Sequence, residues 1–249
     1  MSPVEGLQGK SVLITGGSRG IGAVVARRFA SLGSRVAIGY RSDKEAAEEL
    51  LGELSAGGGE AIAVQGDIAD PDDIDKIVGS TAGHFGRIDV VVNCAAIGPY
   101  RPLGEMDATF VRTMLDTNIL SVVMMTQAVL PHMPSPGGRI VNFASALAYR
   151  PIPTSSVYSA SKAAVVTLTH AFGKELGPKG ITVNAVAPGV IETDMTTRII
   201  AERGEQILAA TPLARIGQPD DIAGIVTFLA SPEAGWITGR TIVADGGVT

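Results

Sequence analysis

"SVLITGGSRGIG", residues 11–22, runs from an unbroken apolar stretch into a glycine-rich turn and then into a helical pattern. A short continuous apolar run bounded by a turn reads as a strand buried on both faces. Gly16, Gly20 and Gly22 stand in a G-x3-G-x-G spacing, with Ser18, Arg19 and Ile21 inside the same turn. Glycines allow a tight turn and close backbone approach, and the next helix aims its free N–H groups at whatever lies before it. That combination suits a phosphate. A glycine-rich turn alone is weak, because any tight strand-to-helix connection can use glycine. Its position after the first strand gives it weight.

The alternation continues outward. Strands are predicted at 35–40, 60–65, 88–93, 138–145, 181–188 and 240–245. Helices are predicted at 21–32, 43–56, 70–84, 109–133, 155–176 and 219–230, with Gly57, Gly58 and Gly59 stopping the second. Seven strands separated by helices imply a mostly parallel, doubly wound (Rossmann-type) α/β sheet with helices on both faces. No linker, repeat or charge block divides the chain, so a single domain over 1–249 is expected. A cofactor half ends near 145, and the rest carries a catalytic helix and a substrate lid. Ligands of such sheets bind outside the carboxyl ends of the strands.

Composition narrows the function. The chain has 249 residues, 45% of them hydrophobic, and a net charge of −5, which argues against nucleic acid or an anionic membrane as partner. Cys94 is the single cysteine, so there is no internal disulfide, and a reducing, cytoplasmic setting is expected. "MSPVEGLQGK" at the N-terminus has no apolar stretch, and no run of about 18 apolar residues follows, so neither a signal peptide nor a membrane span is expected. His84, His132 and His170 are scattered, and no metal site is expected.

The second strand ends "GYRSD". Tyr40 stands where an acid would hold the ribose 2′-hydroxyl of NAD(H). Arg41 and Ser42 follow it, and Arg19 lies in the glycine turn. Guanidiniums and a hydroxyl suit a 2′-phosphate, so NADP(H) is favoured over NAD(H). Asp43 is read as the cap of the next helix. After the third strand, Asp67 and Ile68 offer an acceptor for an adenine amino group, the plainer alternative being a helix-capping aspartate. "NCAAI", residues 93–97, ends the fourth strand with small residues, either for tight packing or to leave room for a ribose.

Four signals occur in order: "TGGSRGIG", "NCAAI", a serine 13 residues before a tyrosine, and "YSASK". The chain resembles the short-chain dehydrogenase/reductase family over essentially its whole length. "RIVNFAS", "YSASKAAV", "GITVNAVAPGVIETDM" and "ITGRTIVADGG" resemble its 3-oxoacyl-[acyl-carrier-protein] reductase-like branch. The resemblance implies that Tyr158 and Lys162 are an acid/base pair, Ser145 a catalytic serine and Asn118 a catalytic asparagine holding a water. Asn93 and Ala95 would lie beside the cofactor. Pro188, Gly189, Ile191 and Thr193 would meet its nicotinamide end. Dimers or tetramers are implied, built on helices 109–133 and 155–176 and on the C-terminal "WITGRTIVADGG". Each of the four catalytic candidates has a plainer reading: a packed ring, a solvated amine, a strand end, a satisfied buried amide.

A carbonyl that accepts hydride becomes an alkoxide and needs a proton. A phenol, with a pKa of about 10, must drop roughly 3 units to act near neutrality, and a nearby ammonium is expected to supply much of that. Two departures stand out. The family's "NNAG" is "NCAA" here, and the stretch 132–138, "HMPSPGG", lacks the basic residues expected for docking a carrier protein. A free small carbonyl substrate is therefore favoured over a carrier-bound one. A non-catalytic NADP(H) sensor is the rival from another class. Substrate selection is expected from 97–104, from 146–153 with Leu147, Tyr149 and Ile152, and from a lid at 191–207 with Met195, Ile199 and Ile200. Those side chains favour ketones or oxoesters over charged sugars.

Overall fold

A computed structural model describes residues 6–249. The expectation about a signal peptide falls largely on residues 1–5, outside the described residues. Seven strands form: β1 (Ser11–Thr15), β2 (Arg35–Tyr40), β3 (Ala61–Gln65), β4 (Val90–Asn93), β5 (Arg139–Phe143), β6 (Thr182–Pro188) and β7 (Thr241–Ala244). They make one sheet in the order β3-β2-β1-β4-β5-β6-β7, with every neighbouring pair parallel. The winding reverses between β1 and β4, so a crevice opens at their carboxyl ends.

Side-chain alternation in β1 feeds two cores. Val12 and Ile14 join one cluster with Phe29 of α1 (Gly20–Ser31), Leu50 of α2 (Lys44–Ala56) and Ile222 of α8 (Pro219–Ala230). Leu13 points the other way, to Ile77 of α3 (Pro71–Phe85), Met125 of α5 (Ser121–Val129) and Leu176 at the end of α6 (Ser156–Leu176). Helices thus cover both faces, and the predicted fold class is observed.

The predicted helix 109–133 is not continuous. It divides into α4 (Ala108–Leu115), a π-helical turn (Asp116–Leu120) and α5, closing with a 3-10 turn at Leu130–His132. Thr117 and Asn118 in the π turn are buried. Asn118 reaches across to the backbone of Ile97, and the inserted residue re-aims it there. The stretch Ala108–His132 is long and apolar enough by composition to cross a membrane. Here it packs through α4 on α6 and through α5 on α3, around that buried asparagine. The predicted lid contains α7 (Thr197–Ala210), kinked at Arg203.

At the amino end of the sheet, Asp89 ties β1 to β4. It is only 2% exposed. Its carboxylate accepts from Ser11 N at 3.0 Å and Ser11 Oγ at 2.9 Å, and it pairs with Arg87 and with Lys10 Nζ at 3.5 Å. Burial pushes the carboxyl up, but Arg87 and the Ser11 bonds outweigh it and hold the group below the usual aspartate range. Its contribution to stability is therefore present above the ordinary aspartate value and is lost as pH falls through the lower folded value. Asp89→Asn is expected to cost about 1–3 kcal/mol at pH 7 by urea unfolding. The gap between parent and variant closes as the pH is taken below about 4.

Candidate active site

The glycine turn is folded onto the exit of β4. Gly16 has φ +65°, and a Cβ there would lie 2.9 Å from Ala95 Cα; one at Gly22 would lie 2.2 Å from Gly16 O. No side chain fits either place. Thr15 Oγ1 accepts from Cys94 N and Ala95 N, both at 3.2 Å, and fixes the two exits together. Arg19, the residue before α1, gives that helix no side-chain cap, whereas Asp43, Asp70 and Asp107 cap α2, α3 and α4. The leading N–H groups of α1 thus open on the crevice with no side-chain acceptor, as an anion site requires. Ser18 and Ile21 lie half-buried in the turn.

Arg19 is exposed and makes no ion pair among the described residues. Arg41 Nη1 is 3.9 Å from Asp67 Oδ2, a loose contact, and Ser42 is exposed beside it. Asp43 caps α2 through Ala46 N at 3.1 Å, as its position suggested. Tyr40 packs in the core rather than facing solvent. Asp67 accepts from Ala69 N at 3.0 Å and does not cap α3, a task that falls to Asp70. Ile68 packs against the second core. The Asn93 side chain is bonded within the sheet, donating to Asn142 Oδ1 at 2.9 Å. At the β6 exit, Pro188 is buried and Gly189 N donates to Ala244 O at 2.9 Å. Ile191 is buried and bridged to Gly217. Thr193 carries this segment back to the glycine turn: its Cγ2 lies 3.5 Å from where a Gly20 Cβ would be. The exits of β1, β4 and β6 therefore surround one crevice.

Across the crevice stands the start of α6. Lys162 is 4% exposed, and its Nζ donates to Phe143 O at 2.8 Å. It lies 5.9 Å from the centre of the Tyr158 ring. Ser145 Oγ accepts from Leu147 N at 3.2 Å, which leaves its hydrogen for another acceptor. Asn118 Oδ1 accepts from Ile97 N at 3.0 Å, and its Nδ2 donates to Ile97 O at 2.9 Å and Ser161 Oγ at 3.0 Å. Ser161 Oγ in turn donates to Tyr158 O at 2.7 Å. The Asn118 amide is bonded to protein groups and clamps the loop after β4.

Burial dominates at the phenol. Burial pushes Tyr158 up to about 12; a hydrogen bond with the Ser145 side chain opposes this, and Tyr100 adds to it. Burial brings Lys162 down to about 8, with Cys94 weakly opposing. Burial likewise pushes the Cys94 thiol up to about 12, so it stays protonated.

Two contributors, Thr15 and Ser161, escaped sequence reasoning. Ile97 and Tyr100, whose ring centre is 5.9 Å from that of Tyr158, lie in the 97–104 segment expected to select substrate. Thr15 and Ser161 had a signal in hindsight, as polar residues at otherwise buried strand and helix positions.

An uncapped helix at the switch point of a parallel sheet, faced by a phenol and a buried ammonium, defines a dinucleotide-binding oxidoreductase architecture. The chain belongs to the short-chain dehydrogenase/reductase family. A family model described as enoyl-(acyl carrier protein) reductase matches residues 16–249. The chain is 42% identical over 244 residues to a 3-oxoacyl-[acyl-carrier-protein] reductase of Synechocystis, covering 97% of this chain and 98% of that one. It is 41% identical over 245 residues to an uncharacterised oxidoreductase of Methylorubrum extorquens, covering 97% and 98%. Among solved structures, a short-chain dehydrogenase from Burkholderia cenocepacia in complex with NADP superposes with TM-score 0.93 at 39% identity, covering 97% and 98%. A blue fluorescent protein from a metagenomic library, in complex with NADPH, gives TM-score 0.93 at 39% identity, covering 98% and 99%.

The depressed lysine makes a pH test. Between about 8 and the unfolded value of 10.5, the unfolded chain holds more protons than the folded one, so stability rises with pH across that window. Lys162→Met removes this dependence. Urea unfolding of the cofactor-free proteins is expected to show the difference shifting in favour of the parent from pH 8 to pH 10.

Proposed function

We propose that the chain is an NADP(H)-dependent reductase that converts the carbonyl of a free small ketone reversibly to a secondary alcohol, with Tyr158 as acid/base. The observation that carries this is the buried Lys162, its Nζ on Phe143 O at 2.8 Å and 5.9 Å from the centre of the Tyr158 ring. NADP(H) fits the crevice. The open N–H groups of α1 would take its pyrophosphate, and Arg19 and Arg41 its 2′-phosphate. The neighbours solved with NADP and NADPH support the same choice. Bound there, NADPH supplies hydride to the carbonyl carbon.

The chain's own groups handle the oxygen. Ser145 would hydrogen-bond the carbonyl oxygen and orient it beside the phenol. A Tyr158 phenol pushed up to about 12 stays protonated at neutral pH, so it is loaded as a donor for reduction. Lys162, still charged at pH 7, offsets the phenolate left behind. Asn118 positions the loop after β4 through Ile97 and steadies Tyr158 through Ser161.

A second reading, reduction of carrier-bound 3-oxoacyl chains, is supported by the Synechocystis relative. Against it, the stretch 132–138 carries no Lys or Arg, and Arg139 after it is half-buried and bonded to Gly138 O at 3.0 Å. We also assign the protein to the cytoplasm, a setting consistent with its free Cys94.

We infer a homotetramer, or a dimer within it. One face would be α4 to α6, where Leu115 and Leu120 are exposed; the other would be the edge strand β7 and the turn before it, with a fully exposed Trp236. Analytical ultracentrifugation of Trp236→Glu is expected to show loss of one assembly step. An unchanged mass would remove this face from the assembly.

A panel of free ketones and a carrier-bound 3-oxoacyl chain, run with NADPH and NADH in parallel, tests the function. Free ketones with NADPH are expected to turn over best. Preference for the carrier-bound chain selects the second reading, and no oxidation of NADPH by any carbonyl selects the sensor. Tyr158→Phe is expected to retain NADPH binding by fluorescence titration while turnover falls about 100- to 10,000-fold. Near-parental turnover would remove Tyr158 from the mechanism.

A further inference from the structure

We propose that the cavity between Lys10, Arg35 and Arg87, at the amino end of the sheet, is a second anion site that takes a phosphate group. It stands apart from the cofactor crevice and does not depend on the reaction proposed above.

The cavity has a volume of about 190 Å³ and is lined by Gln8, Gly9, Lys10, Arg35, Arg87 and Asp89. Topology brings these together. Lys10 precedes β1, Arg35 opens β2, and Arg87 and Asp89 lie just before β4. The three strands are parallel neighbours, so their leading residues converge at one end. Arg35 N donates to Lys10 O at 2.8 Å and Asp89 N to Ser11 O at 2.9 Å, which holds the three starts level. The crevice before α1 lies at the other end of β1, five residues and about 16 Å away. One phosphate cannot serve both places.

The charges lining the cavity do not balance. Three cations against one carboxylate leave an excess of two positive charges. Asp89 has nothing more to give. Its Oδ2 accepts from Ser11 N and Ser11 Oγ, and its Oδ1 faces Arg87 and Lys10, so its acceptor positions are filled. Arg35 is not among its partners. That guanidinium is half-buried over the Phe85 ring at 5.2 Å, and its Nη1 donates to Phe85 O at 3.2 Å, the end of α3. It makes no ion pair among the described residues, and its Nε is buried without a hydrogen-bond partner. Glu60, across the β2–β3 register, is turned to His84 at 3.3 Å. A cation partly removed from water and unmet by an acid is costly, and an anion in the cavity offsets that cost.

The excess selects the anion. A phosphate group above its second pKa of about 6 carries close to two negative charges and cancels the excess, whereas chloride cancels half of it. Two guanidiniums present paired N–H groups that match paired oxygens, and Lys10 and Arg87 each have N–H groups beyond the one turned to Asp89. The side chains of Lys10 and Arg87 are partly exposed, so the cavity is reached from solvent. Its lining has no large apolar side chain to hold a hydrophobic guest.

Calorimetric titration with inorganic phosphate tests the site, at about pH 7.5, where phosphate is mostly doubly charged. NADP in excess keeps the cofactor crevice filled, and sodium chloride holds ionic strength constant. The parent is expected to bind one phosphate per chain at this site. Arg35→Gln is expected to weaken that binding about tenfold or more. Lys76→Gln removes the same charge at the opposite end of the sheet, where Lys76 Nζ donates to Gln65 O at 2.7 Å. It is expected to change phosphate binding less than about twofold. Arg35→Lys keeps the charge and loses the fork, and it is read in place of Arg35→Gln if that variant does not fold. Its expected loss is about threefold or more. Urea unfolding gives a second reading: phosphate is expected to stabilise the parent more than the Arg35 variant, a difference from which phosphate's general effect on hydration cancels. No binding to the parent, parental affinity in the Arg35 variant, or an equal loss in Lys76→Gln overturns the site. Glycerol phosphate in the same titration separates two sources of the group. Tighter binding than inorganic phosphate assigns the site to a phosphomonoester and weaker binding to the free ion, and either upholds it.

Discussion

A buried ammonium on the last carbonyl of a parallel strand governs this structure. Burying Lys162 is costly unless its donors are used, and Phe143 O is the acceptor that uses one. That bond requires α6 to cross the carboxyl end of β5. Once α6 is there, Tyr158 one turn earlier is set beside Ser145, and the Ser161 side of the same turn meets Asn118. The burial that fixes the helix also loosens the lysine's hold on its proton. Placement and acid–base character therefore share one cause.

The two ends of the sheet divide the work. At the amino end, Asp89 is saturated with donors and locks β1 to β4. At the carboxyl end, groups are left short: a helix start without a cap, a phenol raised by burial, a glycine with no side chain beside the ring. The π turn at Asn118 belongs with these. It interrupts a helix that would otherwise run straight, and it spends the gain on clamping Ile97.

Much of the fold was legible because its signals are local. Apolar runs separated by helical periods placed all seven strands, and "TGGSRGIG" located the switch point. The end of a strand or helix was readable to within a residue or two. The break at 116–120 was not, since its cause, the Ile97 backbone, lies 21 residues away in sequence. That Tyr158, Lys162 and Asn118 would meet at one end of the sheet was legible from their order. Their electrostatics were not. Spacing puts an ammonium one turn from a phenol, but only the fold shows that the ammonium turns to Phe143 O and that burial dominates the phenol. Asn93 illustrates the same limit, because its bond to Asn142 depends on the β4–β5 register.

The uncapped start of α1 reaches beyond chemistry. Its orphan donors are present only in the folded chain, so an anion that fills them binds the native state and not the unfolded one. At a hundredfold excess over its dissociation constant, such a ligand shifts the folding equilibrium by about 2.7 kcal/mol. The supply of reduced and oxidised dinucleotide then acts as a folding partner. With less dinucleotide bound, that part of the native chain's margin over the unfolded one would shrink in proportion to the logarithm of its concentration.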